Sequence, residues 1–378
     1  MEPSPDKKLL HMNVEQQRAI AAAERALEVP LQHVTALSAD DRRNLILRAS
    51  TPSRSVIIKA TRDKDYRPQA AEAFESGLVK EWVATAFLSR HAPGSAPAFF
   101  GGDAELGFIV LEDLGESLGS LVGPLLGDSG EAAERALIAY ATAIGRLHAG
   151  TLHCIDRHAD FLRRDFPAAI RPPFSADAWR RAGVDKVADM LGSAPPADAI
   201  EAIAQRLSDP GPWQGLAHRD GCPDNVLLSD GRAYLIDFEF ARPGHVLLDA
   251  TYWRLGFPTC WCAGRIPDDV VARMDRAYRD TLPIEVDDDA FRQEMAMLLF
   301  VRLFASQAWL LERALSEDVT WGISTNRPRL LWHLEAAIAG AERIPILDEL
   351  RATAMRWRDD LGLRWPDAQP LALYPAFR

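Results

Sequence analysis

The sequence predicts an α+β protein, a small antiparallel β lobe with one helix followed by a larger, mainly helical lobe. Two patterns predict it. Between residues 31 and 114, short β-branched or apolar runs alternate with turn chemistry; beyond Gly115, apolar residues return at helical spacing. The length agrees, since 378 residues exceed one domain of about 150.

Residues 13–28 are rich in Ala and Glu and read as one amphipathic helix ending before Pro30, which makes 1–30 an N-terminal helical extension. HVTAL (33–37), NLILRA (44–49) and SVIIKA (55–60) are the first strands, with Thr51-Pro52-Ser53 as a turn between two of them. A helix runs over residues 70–90 and stops at HAPGSAP, which cannot continue it. Phe99–Phe100 and GFIVLEDLG (107–115) complete five strands, so 31–114 is the N-terminal lobe and 110–116 the crossing. In the lobe 115–378, Leu137, Tyr140, Ile144 and Leu147 form the stripe of a core-facing helix over 131–149, with Gly150 at its C-cap. Further helical patterns cover 176–192, 198–208, 267–281, 288–315, 328–341 and 345–360. Only 225–237 interrupts them with strands.

Apolar residues are 48% and charged residues 26%, an ordinary globular balance, and the net charge of −11 argues against nucleic-acid binding. That acidity suits a cationic small molecule. The longest nearly apolar stretch, Met295 to Leu311, contains Arg302 and falls short of the roughly 20 residues a bilayer needs, so it reads as a buried helix and no membrane partner is expected. The N-terminal MEPSPDKKLLHMNVEQQ lacks the apolar centre of a signal peptide. Four cysteines make no disulfide framework, and Cys260-Trp-Cys262 lacks the spacer of a redox or zinc pair; the expected compartment is the cytoplasm. His148, His153, Cys154 and His158 share no helical face, which argues against zinc there.

The densest chemistry lies in residues 217–253, with His218-Arg219-Asp220, Asn225 after four intervening residues, and then Asp237-Phe238-Glu239. NVLL and AYLID flank Ser229-Asp230-Gly231, which is hairpin chemistry. A two-residue loop would pair Asn225 with Ile236 and send Asp237 to the other face. A three-residue loop ending in a left-handed Gly231 would set Asn225 diagonal to Asp237, close enough to share a metal ion, and is the one expected.

This segment resembles the catalytic loop and metal segment of the protein-kinase-like superfamily, and within it the aminoglycoside phosphotransferase and choline kinase branch. The resemblance implies a bilobal kinase-like fold with ATP between the lobes. It implies Asp220 as the base that orients and deprotonates a substrate hydroxyl, and Asn225 and Asp237 as magnesium ligands. VIIK (56–59) resembles the family's strand-end lysine segment, so Lys59 would contact the α and β phosphates. Glu81 is the best candidate for its ion-pair partner, ahead of Glu75 and Glu72. LEDLG (111–115) resembles the hinge, with the backbone of Glu112 and Leu114 on adenine. His218 would stiffen the loop and Asp249 would brace it from the following helix. The matching order covers 31–253 and fades beyond 255.

Two departures stand out. The first hairpin, ALSADDRRNLIL, has no glycine, so Ser38 to Arg43 would cover the nucleotide without a Gly-rich loop; the metal segment reads Asp-Phe-Glu, leaving open a metal role for Glu239. Only eleven residues separate Asp237 from Asp249, too few for the activation loop with which a protein kinase docks a peptide. The expected activity is therefore ATP- and magnesium-dependent phosphoryl transfer to a small-molecule hydroxyl, with an amino sugar as acceptor and choline or another amino alcohol as the alternative. A pseudokinase acting as an interaction module is the alternative of another class. Seven tryptophans after residue 250 suit either a box for a quaternary ammonium or, better, core packing. The acidic run Glu285 to Asp289 reads as a helix first turn rather than a grip for ammonium groups.

Overall fold

A computed structural model describes residues 12–39, 41–285, 287–305 and 308–378. Residues 1–11, the larger part of the segment expected not to be a signal peptide, lie outside the described residues, as do Asp40, Val286 and, within the helix expected over 288–315, Ser306 and Gln307. The chain groups into two compact units. The first takes residues up to Leu118 together with Cys154–Pro172 and Tyr234–Arg242; the second takes Gly119–His153, Pro173–Ala233 and Pro243–Arg378. The division read from sequence, at residue 114, is continuous, whereas here two later segments return to the first unit.

The first unit is built on an antiparallel sheet of β1 (Gln32–Ala36), β2 (Asn44–Ser50), β3 (Ser55–Thr61), β4 (Phe99–Asp103) and β5 (Phe108–Glu112), in the order β1-β2-β3-β5-β4. Alternation along β3 decides what each face holds. Val56, Ile58 and Ala60 join Leu45, Leu47, Phe108 and Val110 in a core closed by Ala19, Ile20 and Ala23 of helix α1 (Val14–Leu27). The N-terminal helix is thus part of this unit's core, and the sheet carries two helices where one was expected. Asn13 and Gln16 start α1 with a capping box. On the other face, Ile109 and Leu111 pack with Val79, Trp82 and Val83 of helix α2 (Gly77–His91), and Leu162 and Phe166 cover α2 from outside. Buried on every side from Leu78 to Leu88, α2 shows no amphipathic stripe in the sequence.

In the second unit, helix α3 (Gly130–Ala149) buries Leu137, Tyr140, Ile144 and Leu147 completely, as the sequence stripe requires. Helices α4 (Leu247–Arg254) and α5 (Asp268–Arg279) pack on it; α6 (Asp288–Ala305) packs on α4, α7 (Asn326–Gly340) on α6, and α8 (Asp348–Arg364) on α7. The single helix expected over 288–315 is described as two pieces, α6 and Ala308–Ser316. α6 is buried from Glu294 to Phe304, and among the described residues no single helix is long and apolar enough to cross a membrane. Strands are more numerous than expected: besides β8 (Val226–Ser229) and β9 (Arg232–Leu235), short pieces β6 (Gly119–Ser120), β7 (Gln214–Ala217), β10 (Arg242–His245), β11 (Thr320–Trp321) and β12 (Ser324–Thr325) complete small sheets. At two to four residues each, they are too short for a period-two pattern to show.

Candidate active site

Strand parity places Lys59 on the α2 face of the sheet. Its Nζ lies 2.5 Å from Glu81 Oε2 and 2.5 Å from Asp237 Oδ1, all within the first unit. Lys59 is 6% exposed and Glu81 2%. Burial opposes the ammonium, but the two carboxylates outweigh it and raise the Lys59 pKa. Burial pushes the Glu81 carboxyl up, and Lys59 draws it back. Of the three glutamates weighed, Glu81 faces Lys59, whereas Glu75 binds Lys80 at 3.4 Å and Arg242 at 3.3 Å.

Glu239 is buried beside this cluster and pairs with Arg43, which comes from the β1–β2 connection. Burial and the Asp237 charge raise its pKa. The glycine-free connection therefore supplies a cation that no spacing in the sequence identified. At the end of β5, Glu112 gives its N–H to Ala98 O at 2.8 Å, so a backbone contact from this residue to a ligand would use its carbonyl. The neighbouring Asp113 binds Arg48 Nε at 2.7 Å, Ser55 Oγ at 2.6 Å and the Gly115 N–H at 3.0 Å, tying the segment to β2 and β3. Burial opposes its charge, but these donors hold its pKa below the usual range.

In the second unit, the catalytic-loop residues meet around two carboxylates. Asn225 Nδ2 donates to Asp220 O at 3.0 Å and to Asp220 Oδ2 at 3.1 Å. Asp249 Oδ2 accepts the His218 N–H at 2.6 Å and Oδ1 accepts the Arg219 N–H at 2.8 Å. Arg219 sits at φ +69°, a left-handed conformation that these bonds help hold. His148 Nε2 contacts Asp249 Oδ2 at 3.1 Å, and His148 Nδ1 meets the Tyr278 hydroxyl at 2.9 Å. The Asp220 N–H points to His218 Nδ1 at 3.4 Å. Tyr140 donates to Gly221 O at 3.1 Å, and a Cβ on Gly221 would lie 2.3 Å from that hydroxyl, so only glycine fits there.

The following hairpin lacks the three-residue loop expected from parity. Its loop is Asp230-Gly231, with φ +47° and +75°, the two-residue turn with both central residues left-handed. Asn225 lies in the 3-10 turn Pro223–Asn225 and Asp237 at φ +63°, so neither is a strand residue whose face parity sets. Their chemistry still suits a hard cation: Asn225 spends Nδ2 on Asp220, which leaves its amide oxygen, and Asp237 spends Oδ1 on Lys59, which leaves a carboxylate oxygen.

Several other sequence features prove structural. Trp253 and Trp357 are fully buried; Trp309, Trp321, Trp332 and Trp365 each carry an arginine over the ring. Of the seven, Trp261 remains, 38% exposed. Asp287 caps α6 through the N–H groups of Asp289 and Ala290, while Asp288 pairs with Arg279 and Asp289 with Arg292. His158 packs edge-on against Phe74 and Phe87, and burial lowers its pKa to about 3. The cysteines, read as forming no disulfide framework, include one bonded pair, Cys222–Cys260. A cavity of about 770 Å³ lined by Arg254, Asp275, Arg276 and Phe291 includes no residue of the catalytic loop.

A lysine held by two carboxylates and a His-x-Asp-x4-Asn loop braced by a buried aspartate are the parts of a protein-kinase-like phosphotransferase. The model of the phosphotransferase enzyme family matches residues 33–283, and the chain belongs to that family. No curated protein matches it in sequence. Among solved structures, it is similar to the choline kinase LicA from Streptococcus pneumoniae, at 15% identity and a TM-score of 0.48 over 86% of this chain and 99% of that one. The macrolide 2′-phosphotransferase MphH from Brachybacterium faecium aligns at 15% identity and a TM-score of 0.48, covering 87% and 98%. A choline/ethanolamine kinase family protein from Mesorhizobium loti aligns at 16% and 0.47, covering 93% and 100%.

Proposed function

We propose that the protein transfers the γ-phosphoryl group of ATP, with magnesium, to a hydroxyl of a small cationic acceptor of the amino-sugar type. The observation that carries this reading is the catalytic loop: Asn225 holds the Asp220 carboxylate while Asp249 fixes the two N–H groups preceding it. Asp220 then aligns the acceptor hydroxyl and takes its proton as the oxygen attacks. Lys59, kept charged by Glu81 and Asp237, neutralises the α and β phosphates, with Arg43 close by on Glu239. Adenine would use the Glu112 carbonyl and the Leu114 N–H. Asn225 and Asp237 would each offer an oxygen to magnesium, which would offset charge developing on the phosphoryl oxygens.

The net charge of −11 favours a cationic acceptor. Against an amino alcohol stands the state of the tryptophans, since four rings already face an arginine and two are buried. Against a pseudokinase, the base, the lysine and both candidate metal ligands are all present. ADP release across aminoglycosides, amino alcohols, sugars and nucleosides, with the Asp220→Ala variant as blank, tests the proposal. Magnesium-dependent release with an amino sugar is expected. Release with amino alcohols alone would move the assignment to that class, and ATP binding without any acceptor-dependent turnover would make the protein a binding module.

Glu81→Gln keeps the side-chain shape but removes the charge facing Lys59. Its KM for ATP is expected to rise about tenfold, with a smaller fall in kcat. An unchanged KM in initial-rate measurements would remove Glu81 from nucleotide anchoring.

A further inference from the structure

Between the candidate base Asp220 and the candidate metal ligand Asn225 sits Cys222, bonded to Cys260, 38 positions further along the chain, with Cα atoms 5.9 Å apart. The two ends of this bond are held differently. Cys260 belongs to a segment fixed from below: buried Arg329 donates through Nη1 to Cys260 O at 2.6 Å and Pro258 O at 3.2 Å, and the Cys260 N–H binds Phe257 O at 3.0 Å. Cys222 opens the 3-10 turn that ends at Asn225, and its carbonyl accepts the Asn225 N–H at 2.9 Å. Beyond the bond, Cys222 Sγ meets the Tyr252 hydroxyl at 3.3 Å, which also lies 3.4 Å from Cys260 Sγ. Without the bond, Tyr140 on Gly221 O and the Asn225 bonds to Asp220 and Cys222 would remain, but what ties Cys222 to the Cys260 segment would be weak thiol hydrogen bonding.

We propose that the Cys222–Cys260 disulfide is a reducible clamp that positions the catalytic loop, opened by a dithiol reductant. Its kinetic consequence rests on the phosphotransferase reading; the clamp itself does not. Cys222 is 8% exposed and Cys260 2%, so the incoming thiolate attacks Cys222 Sγ and Cys260 leaves as the thiolate. The second thiol of the reductant then attacks the mixed disulfide and releases Cys222. Two electrons and two protons pass to the protein, and the reductant leaves as its own disulfide. Both cysteines are positioning residues: they act through Asp220 and Asn225.

The test uses the full chain, purified in air without reductant or chelator. Peptide mapping after alkylation is expected to find 222 and 260 linked, with Cys154 and Cys262 as the alkylated pair. Finding all four cysteines alkylated overturns the proposal. So does one zinc per chain, because the Cys222, Asp224 and Cys260 ligand atoms lie within 4.8 Å of one another and would then be a metal site instead. Adding a dithiol is expected to speed amide exchange at Gly221–Asn225 about tenfold, and unchanged exchange overturns the clamp. With an acceptor in hand, reduction is expected to lower kcat about tenfold and to leave the KM for ATP within about twofold. Cys222→Ser should match the reduced wild type and ignore dithiol, whereas Cys154→Ser should still respond. A kcat indifferent to reduction refutes the positioning role. Absence of turnover with every acceptor, alongside an intact exchange response, would instead count against the phosphotransferase reading alone.

Discussion

Replacing Asp220 by Ala is expected to lower kcat about a thousandfold while leaving ATP affinity within about threefold of the parent. Lys59 is held by Glu81 and Asp237, so nucleotide anchoring does not need the Asp220 carboxylate. What disappears is the group proposed to align and deprotonate the attacking hydroxyl. Asp220→Asn separates the two roles, because an amide still offers Asn225 Nδ2 the oxygen it binds at 3.1 Å but is a very poor base. Rates from ADP release and ATP binding by calorimetry together decide the point. An Asn variant within tenfold of the parent would reduce Asp220 to an orienting group.

The second large effect is expected at Asp249. This carboxylate is 1% exposed and serves the His218 N–H, the Arg219 N–H and His148 at once. Asp249→Ala leaves two backbone donors and an imidazole without their partner, at a cost of about 3 kcal/mol. The left-handed Arg219 loses its support in the same step, so kcat should fall with it. Thermal unfolding and initial rates measure the two losses; an unshifted midpoint would contradict the buried-bracket account. The pH dependence follows from the same site. Burial opposes the charge, but hydrogen bonding to His148, with His148, His218 and Arg302 nearby, holds the Asp249 pKa at about 2, against an ordinary 3.8. A carboxyl depressed on folding stabilises the protein above its unfolded pKa. That contribution, about 2 kcal/mol, is lost as pH falls from 4 towards 2. Asp249→Asn should flatten stability across that interval.

Much of this site was legible in the residues because the features involved are local. Lys59 sits in an alternating strand, and alternation alone sends it to the face opposite Val56 and Ile58. Asp220 and Asn225 lie five apart in one loop, close enough for side chain to meet side chain within a single turn. The hairpin argument failed for an equally local reason. It extended strand parity to Asn225 and Asp237, and both sit just beyond the strands, in a 3-10 turn and a left-handed conformation. α1 was set aside as an extension because amphipathicity shows that a helix has a partner without saying which.

By itself the sequence determined the two-unit α+β architecture, the lysine strand and the loop carrying Asp220 and Asn225, since periods of two and 3.6 and short motif spacings need no knowledge of distant neighbours. Only the tertiary structure decided that Glu81 rather than Glu75 faces Lys59, that His148 backs Asp249 across a hundred residues, that Arg43 meets Glu239, and that Cys222 bonds Cys260. The physical reason is that a buried charge or thiol takes whichever partner the packing brings within about 3 Å, and packing is set by the whole topology rather than by the neighbouring sequence.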